Sequence, residues 1–281
     1  MEQLPRLQAR ISSLRELRDL IRALRALAAS HVQEAQTALP GARGYVEVVE
    51  DAIAEGAALL PKSDGLAASS EQSDASVLIV ICSEHGFVGA FNERLLDRAE
   101  AERKEGQELL VVGRRGAILA AERKLDVERD FPMATHVGGV LGVTRRVAEC
   151  LADVSAADVV FGSYRKGGNF EVETKSLLPL DPTLLVGYER RSPPLHHLEA
   201  NVLLQRLASE YLFGEITRAV MESLASENGA RLSVMEAANQ NIGDKLEDMR
   251  RSENALRQEA ITSELLDVVT GSEAVLTGVD R

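Results

Sequence analysis

Tryptophan is absent from the 281 residues, aromatic residues make up 4% of them, and there are two cysteines. A large globular core normally uses more aromatic area, so much of the chain is expected to pack as narrow helices. Cys82 and Cys150 are too few for a disulfide framework and point to a reducing compartment. No apolar run reaches the roughly 18 to 20 residues of a membrane span; the longest, 77–82, has the length of a strand. Glu2 and Pro5 with no apolar stretch behind them do not read as a signal peptide. Positive charge is in deficit: Lys plus Arg is 32 against 44 Asp plus Glu, a net charge of −12. Nucleic acid and anionic lipid are poor partners for such a surface.

Catalytic signatures are missing as well. There is no P-loop, no G-x-S-x-G and no Cys-x-x-Cys, and the five histidines never fall into a ligand spacing such as H-E-x-x-H. No catalytic residue, metal or cofactor is therefore expected. The nearest approach to a ligand motif is Gly86-Phe87-Val88-Gly89 after the first apolar strand, with Arg114 and Arg115 after the second. A dinucleotide fingerprint would need another glycine where Glu84 stands, so the segment reads first as a tight strand-to-helix turn. An NADP-binding reductase with a helical arm stays open as an alternative on these residues alone, as does a stand-alone coiled-coil scaffold.

What the chain does have is length without proline. Residues 6–39 and 195–281 contain none, and interior proline costs a helix about 3 kcal/mol. Leu7, Ile11, Leu14, Leu17, Ile21, Leu24 and Leu27 recur at spacings of four and three, the narrow seam of a coiled coil. Pro40-Gly41 is expected to break or kink this helix before a second helical stretch at 45–60. Leu212, Ile216, Val220 and Leu224 begin a similar pattern that continues through Leu232, Met235, Ile242, Leu246, Met249, Leu256, Ile261, Leu265 and Val268. About 75 residues of helix would extend roughly 110 Å, which needs a partner along its length. An antiparallel pair of the two chain ends supplies one.

The middle has a different period. Residues 77–81, 109–112 and 158–161 read as short buried strands separated by helical stretches near 90–104, 117–124 and 143–152, and 170–178 reads as a more exposed strand. That alternation predicts a Rossmann-like α/β domain with a parallel core. The expected organisation is an N-terminal coiled-coil helix at 1–61, a linker at 62–76, the α/β domain at 77–192 and a C-terminal coiled-coil helix at 195–281.

Four segments then resemble one family. Ala23-Leu24-Arg25-Ala26-Leu27-Ala28-Ala29-Ser30 is similar to the A-M-x-M-V-A-A-S segment of F-type ATP synthase gamma subunits. Ser83-Glu84-His85-Gly86-Phe87-Val88-Gly89-Ala90-Phe91-Asn92 resembles their S-D-R-G-L-C-G-x-x-N turn. Ser226-Glu227-Asn228-Gly229-Ala230-Arg231-Leu232-Ser233-Val234-Met235 is similar to S-E-x-x-A-R-M-x-A-M, and 254–264 to N-x-x-R-Q-A-x-I-T-x-E. The resemblance implies a central-stalk rotor: paired terminal helices inside the hexamer of alpha and beta subunits, and an α/β foot beside the epsilon subunit and the c ring. It implies torque exchanged with proton or sodium flow, catalysis left to other subunits, and a peripheral position on the cytoplasmic face of a bacterial inner membrane. By the same resemblance Leu24, Arg231, Arg257, Gln258, Thr262 and Glu264 contact the hexamer, and Gly86, Gly89 and Asn92 shape the foot-domain turn. Departures from the pattern include Leu24 and Leu232 in place of methionines, Gly229, which would thin the packing, and the acidic balance.

Overall fold

The computed structural model describes residues 3–59, 75–165, 168–185 and 196–278, the side chains of 185 and 270–278 excepted. The expected 62–76 linker and the expected boundary near 192–195 fall almost wholly outside the described residues. The chain divides into two compact units, Met1–Ala26 with Met235–Arg281, and Leu27–Val234. Helix α1 (Gln3–Ala57) and helix α5 (Ala200–Gly278) contribute to both.

Within the first unit the two helices pair antiparallel. Gln8 donates to Glu253 at 3.0 Å, Arg18 to Asn239 at 3.2 Å, and Arg25 meets Glu236 at 2.7 Å, so positions fall along α5 as they rise along α1. Ile11, Ile21, Met235 and Leu246 are the buried apolar residues of this pair. The seam runs as expected through Leu7, Ile11, Leu14, Ile21 and Leu24, all buried or half-buried, and departs from the expected residues only at Leu17 and Leu27. Leu17 is exposed and Arg18 takes the seam position behind it, its guanidinium satisfied by Asn239. Exposed Leu17 and Leu20 make a short second stripe beside the seam, next to half-buried Leu24. On α5 the seam fades after half-buried Leu256: Ile261, Leu265 and Val268 are all exposed.

The second unit is built on a five-stranded sheet ordered β3-β2-β1-β4-β5. Its strands are β1 (Ser76–Ile81), β2 (Glu108–Val112), β3 (Arg129–Phe131), β4 (Ala156–Arg165) and β5 (Asn169–Leu178). The first four are parallel and β5 returns antiparallel beside β4. Side chains alternate across the sheet, as the pleat requires. Val77, Ile79, Ile81, Val159 and Phe161 face a core shared with α1, α4 (Val140–Cys150) and α5. Leu78, Val80, Cys82, Leu109 and Val111 face α2 (Phe91–Glu102) and α3 (Arg114–Glu122). Each fully buried Leu, Ile or Phe stabilises the fold by about 1.5 to 3 kcal/mol, and this layered core holds most of them.

Pro40 lies inside α1 and does not end it. The expected break is corrected for a packing reason. Leu39, Val46, Val49 and Ile53 are buried on either side of it, while Pro40 itself points to solvent. Burial of that row outweighs the missing N–H bond. Gly229 does not thin the packing either: a Cβ there would lie 2.9 Å from the Tyr164 ring and 3.3 Å from Gly168, so its absence lets α5 approach the β4–β5 end closely.

Candidate functional site: the seat of α5 on the sheet

In a sheet ordered 3-2-1-4-5, the direction of winding reverses between β1 and β4. Open α/β sheets bind their ligands in the crevice beyond the carboxyl ends of those two strands. In this chain α5 fills it. From Ala219 to Ala230 every residue of α5 is buried, right round the helix. Ser223 donates to the Ile81 carbonyl at the end of β1 at 2.7 Å, and Ser226 donates to the Gly162 carbonyl of β4 at 2.8 Å. A Cβ on Gly162 would sit 2.7 Å from the Phe91 ring and 3.0 Å from Ser226, so glycine here admits the helix. The space a dinucleotide would need is occupied by the chain itself.

Three buried glutamates hold the same stretch. Glu215 pairs with Lys175 at 2.8 Å and with Arg218 at 2.9 Å. Glu222 pairs with Arg43 of α1 and accepts the Tyr164 backbone N–H at 3.2 Å. Glu227 accepts from Arg231 at 2.6 Å, one turn along α5. Burial pushes the Glu227 carboxyl up to about 7, against the pull of the Arg231 charge and hydrogen bond. Cys82, behind β1, is likewise pushed up to about 12 by burial, which keeps its thiol protonated.

The turn after β1 is pinned from within. The Ser83 N–H donates to Asn92 Oδ1 at 2.9 Å, Asn92 Nδ2 to Ser83 Oγ at 2.8 Å, and Ser83 Oγ to the His85 carbonyl at 2.9 Å. Glu84, standing where a fingerprint glycine would be, accepts the Met133 N–H at 2.8 Å and the Arg114 N–H at 3.2 Å, and pairs with the Arg114 side chain. Arg114 is thus engaged with Glu84, where a cofactor phosphate would have to compete for it. Gly89 has φ of +57° and Val234 of α5 packs 3.3 Å from where its Cβ would be; Gly86 meets nothing within 4 Å.

The six residues expected at the hexamer separate in the structure. Arg231 joins the turn: it donates to the Gly86 carbonyl at 3.3 Å, the His85 carbonyl at 3.4 Å and Asn228 Oδ1 at 2.9 Å. Its side chain is only 13% exposed. Arg257 pairs with Glu253 at 3.1 Å, and Thr262 Oγ1 donates to the Gln258 carbonyl at 2.9 Å. Arg257, Gln258, Thr262 and Glu264 are exposed on α5, while Leu24 is half-buried on α1. Glu222, Ser223, Ser226 and Glu227 are not singled out as site residues by the sequence alone. The signal was there in the repeat Glu222-Ser223, Ser226-Glu227, which places four polar groups on one helix face at a spacing of four.

Comparison with known proteins agrees with this architecture over its whole length. A family model described as ATP synthase matches residues 3–275. The chain belongs to the ATP synthase gamma family. The gamma chain of Anaeromyxobacter sp. (strain Fw109-5) is 27% identical over 295 residues, covering 98% of this chain and 100% of that one. The gamma chain of Bdellovibrio bacteriovorus is 27% identical over 300 residues, covering 98% and 99%. In fold the chain resembles one from the mitochondrial ATP synthase of Euglena gracilis, with a TM-score of 0.69 at 14% identity, covering 99% of this chain and 96% of that one. A central-stalk chain of the Tetrahymena thermophila enzyme gives 0.58 at 18% identity over 78% and 99%. This gamma-family chain is a rotor subunit of the F-type central stalk, non-catalytic in itself.

Proposed function

We propose that the exposed apolar end of α5 and the second leucine stripe of α1 are the bearing surfaces of this rotor against the alpha–beta hexamer. The observation that carries the reading is the run Ile261, Leu265 and Val268, each more than half exposed on a helix whose earlier seam is covered. Large apolar residues left exposed this close together, Leu266 and Val269 among them, are costly in water and gain by entering a protein sleeve. Leu17, Leu20 and Leu24 offer a second such surface on α1. Gln258, Thr262 and Glu264 flank the α5 residues with donors and acceptors suited to loops of the surrounding subunits, and Arg257 adds a charge. Arg231 belongs to the same transmission through the turn it holds.

The α/β unit is the part assigned to the epsilon subunit and the c ring. No described helix is long and apolar enough to cross a membrane, so the chain meets the membrane through those partners, and we place it on the cytoplasmic face of a bacterial inner membrane. Pull-down of the tagged chain from native membranes tests the assignment. Alpha and beta subunits recovered at three copies each per chain are expected. Recovery of the epsilon subunit and c ring without them would remove it.

A further inference from the structure

We propose that Glu227 and Arg231 form a proton-sensitive clasp that positions the turn 83–89 against α5. It rests on where the two side chains sit. Glu227 is one helical turn before Arg231, buried, and one of its oxygens receives the guanidinium at 2.6 Å. The other, Oε2, is buried with no hydrogen-bond partner. Arg231 then spans the gap to the turn, reaching the His85 and Gly86 carbonyls at 3.4 and 3.3 Å. Those two bonds are long. The guanidinium is held for them by the Glu227 carboxylate at 2.6 Å and by Asn228 Oδ1 at 2.9 Å.

The turn needs holding. Phe87, between the two glycines, has φ of +62°, a region that costs an L residue roughly 1 to 2 kcal/mol, and its ring is 69% exposed. Its packing therefore returns little of that cost, and the geometry is imposed by the bonds on either side. One set is internal, through Ser83 and Asn92. A second runs from Glu84 to the Met133 and Arg114 N–H groups, and the third is Arg231.

The charged and titratable groups around Glu227 set the response. On α5 the facing group is Arg231. From the turn come Glu84, a like charge whose backbone N–H also favours the ionised form, and His85, through its carbonyl to Arg231. Arg114 of α3 offsets Glu84, and from the end of β1 comes the Cys82 thiol. The buried positions of α1 in this stretch, Ala28, Val32 and Ala35, do not titrate; His31 and Glu34 stand beside them. A carboxylate so buried, with one cation and the Glu84 N–H for company, takes up a proton far more readily than an exposed one. Protonated, it loses the charge that strengthens its bond to the guanidinium, which then rests on Asn228 and a neutral acceptor. The turn keeps its Ser83–Asn92 and Glu84 bonds and the Gly89–Val234 contact, while its Arg231 tie to α5 loosens. The clasp is closed at alkaline pH and opens as pH falls through neutrality.

Amide hydrogen exchange on the full chain reads this directly, as protection factors for 84–89 between pH 5.5 and 8.5. Wild type is expected to lose about tenfold in protection across that range, the loss of one charge-assisted bond. Glu227→Gln should show the lower protection at every pH. Arg231→Lys, which keeps the charge but not the fork, should lower protection and keep the pH dependence. A carbon-13 titration of the Glu227 carboxyl in the wild-type chain needs no variant, and its midpoint is expected near neutrality. A midpoint below about 5, flat protection in wild type, or an unchanged pH dependence in Glu227→Gln would each overturn the clasp.

Discussion

Glu227 shows how one buried carboxyl links the fold to pH. Its ordinary value is 4.5 and its folded value about 7, so the folded chain holds a proton that the unfolded chain has released between those limits. The charged form costs nothing below pH 4.5, where both states are protonated; the cost grows as pH rises and is complete above about 7. It amounts to at most roughly 3 kcal/mol. Urea unfolding at pH 5 and pH 8 checks this: wild type should gain stability on acidification relative to Glu227→Gln. An equal response in both proteins would remove the effect. Gly113 gives a second expectation. Its φ is +110° and a Cβ there would lie 2.6 Å from the Cys82 and Ser83 carbonyl oxygens. Gly113→Ala should cost about 4 kcal/mol or more, because backbone cannot move aside as a side-chain tip can. Neither feature can be seen in the sequence. Both depend on what the end of β1 meets from distant parts of the chain.

Secondary elements were more legible where a period repeats many times. The two long helices follow from proline-free runs and apolar spacing, and β1, β2 and β4 from short apolar runs between helices. Two positions of the α1 seam did not follow, Leu17 and Leu27, where Arg18 and Ala28 take the seam place instead. Only the partner Asn239 explains why Arg18 is tolerated there. β3, at three residues with two of them exposed, is too short to carry a pattern. The burial of α5 all round from 219 to 230 is not legible, since Glu222, Ser223, Ser226 and Glu227 look like surface until the sheet covers them. Pro40 belongs here too. It sits in a continuous helix at an exposed position, so Pro40→Ala restores a hydrogen bond and removes a steric conflict at no cost in packing. The gain should be about 1 to 3 kcal/mol in denaturant unfolding. No gain, or a loss, would mean that the proline relieves strain instead.

On the scale of the whole molecule, the sheet and the long helices cannot be separated cleanly. Removing the α/β unit to test its role would uncover twelve consecutive residues of α5, including Ile216's neighbours Ala219, Val220 and Leu224. Such a deletion would be expected to aggregate. Point changes on the exposed end of α5 avoid this. Gln258→Ala should leave assembly intact and weaken ATP hydrolysis or ion pumping by roughly tenfold, as loss of one bond to a charged group would; wild-type rates in the assembled enzyme would contradict that assignment. The family resemblance was legible from four short segments spread along the chain. The seat of α5 in the crevice was not, since it arises only when β1 and β4 stand side by side.

Rotation itself is the most direct test. A chain carrying Glu105→Cys, at an exposed turn of the α/β unit, with Cys150→Ser to remove the half-buried native thiol, would be assembled with its alpha and beta subunits. The hexamer would be fixed to a surface and a probe attached at residue 105. With ATP supplied, the probe should turn in one direction, in steps. A probe that stays still, or merely jitters, on an assembled hexamer that hydrolyses ATP would contradict the reading of this chain as the rotor.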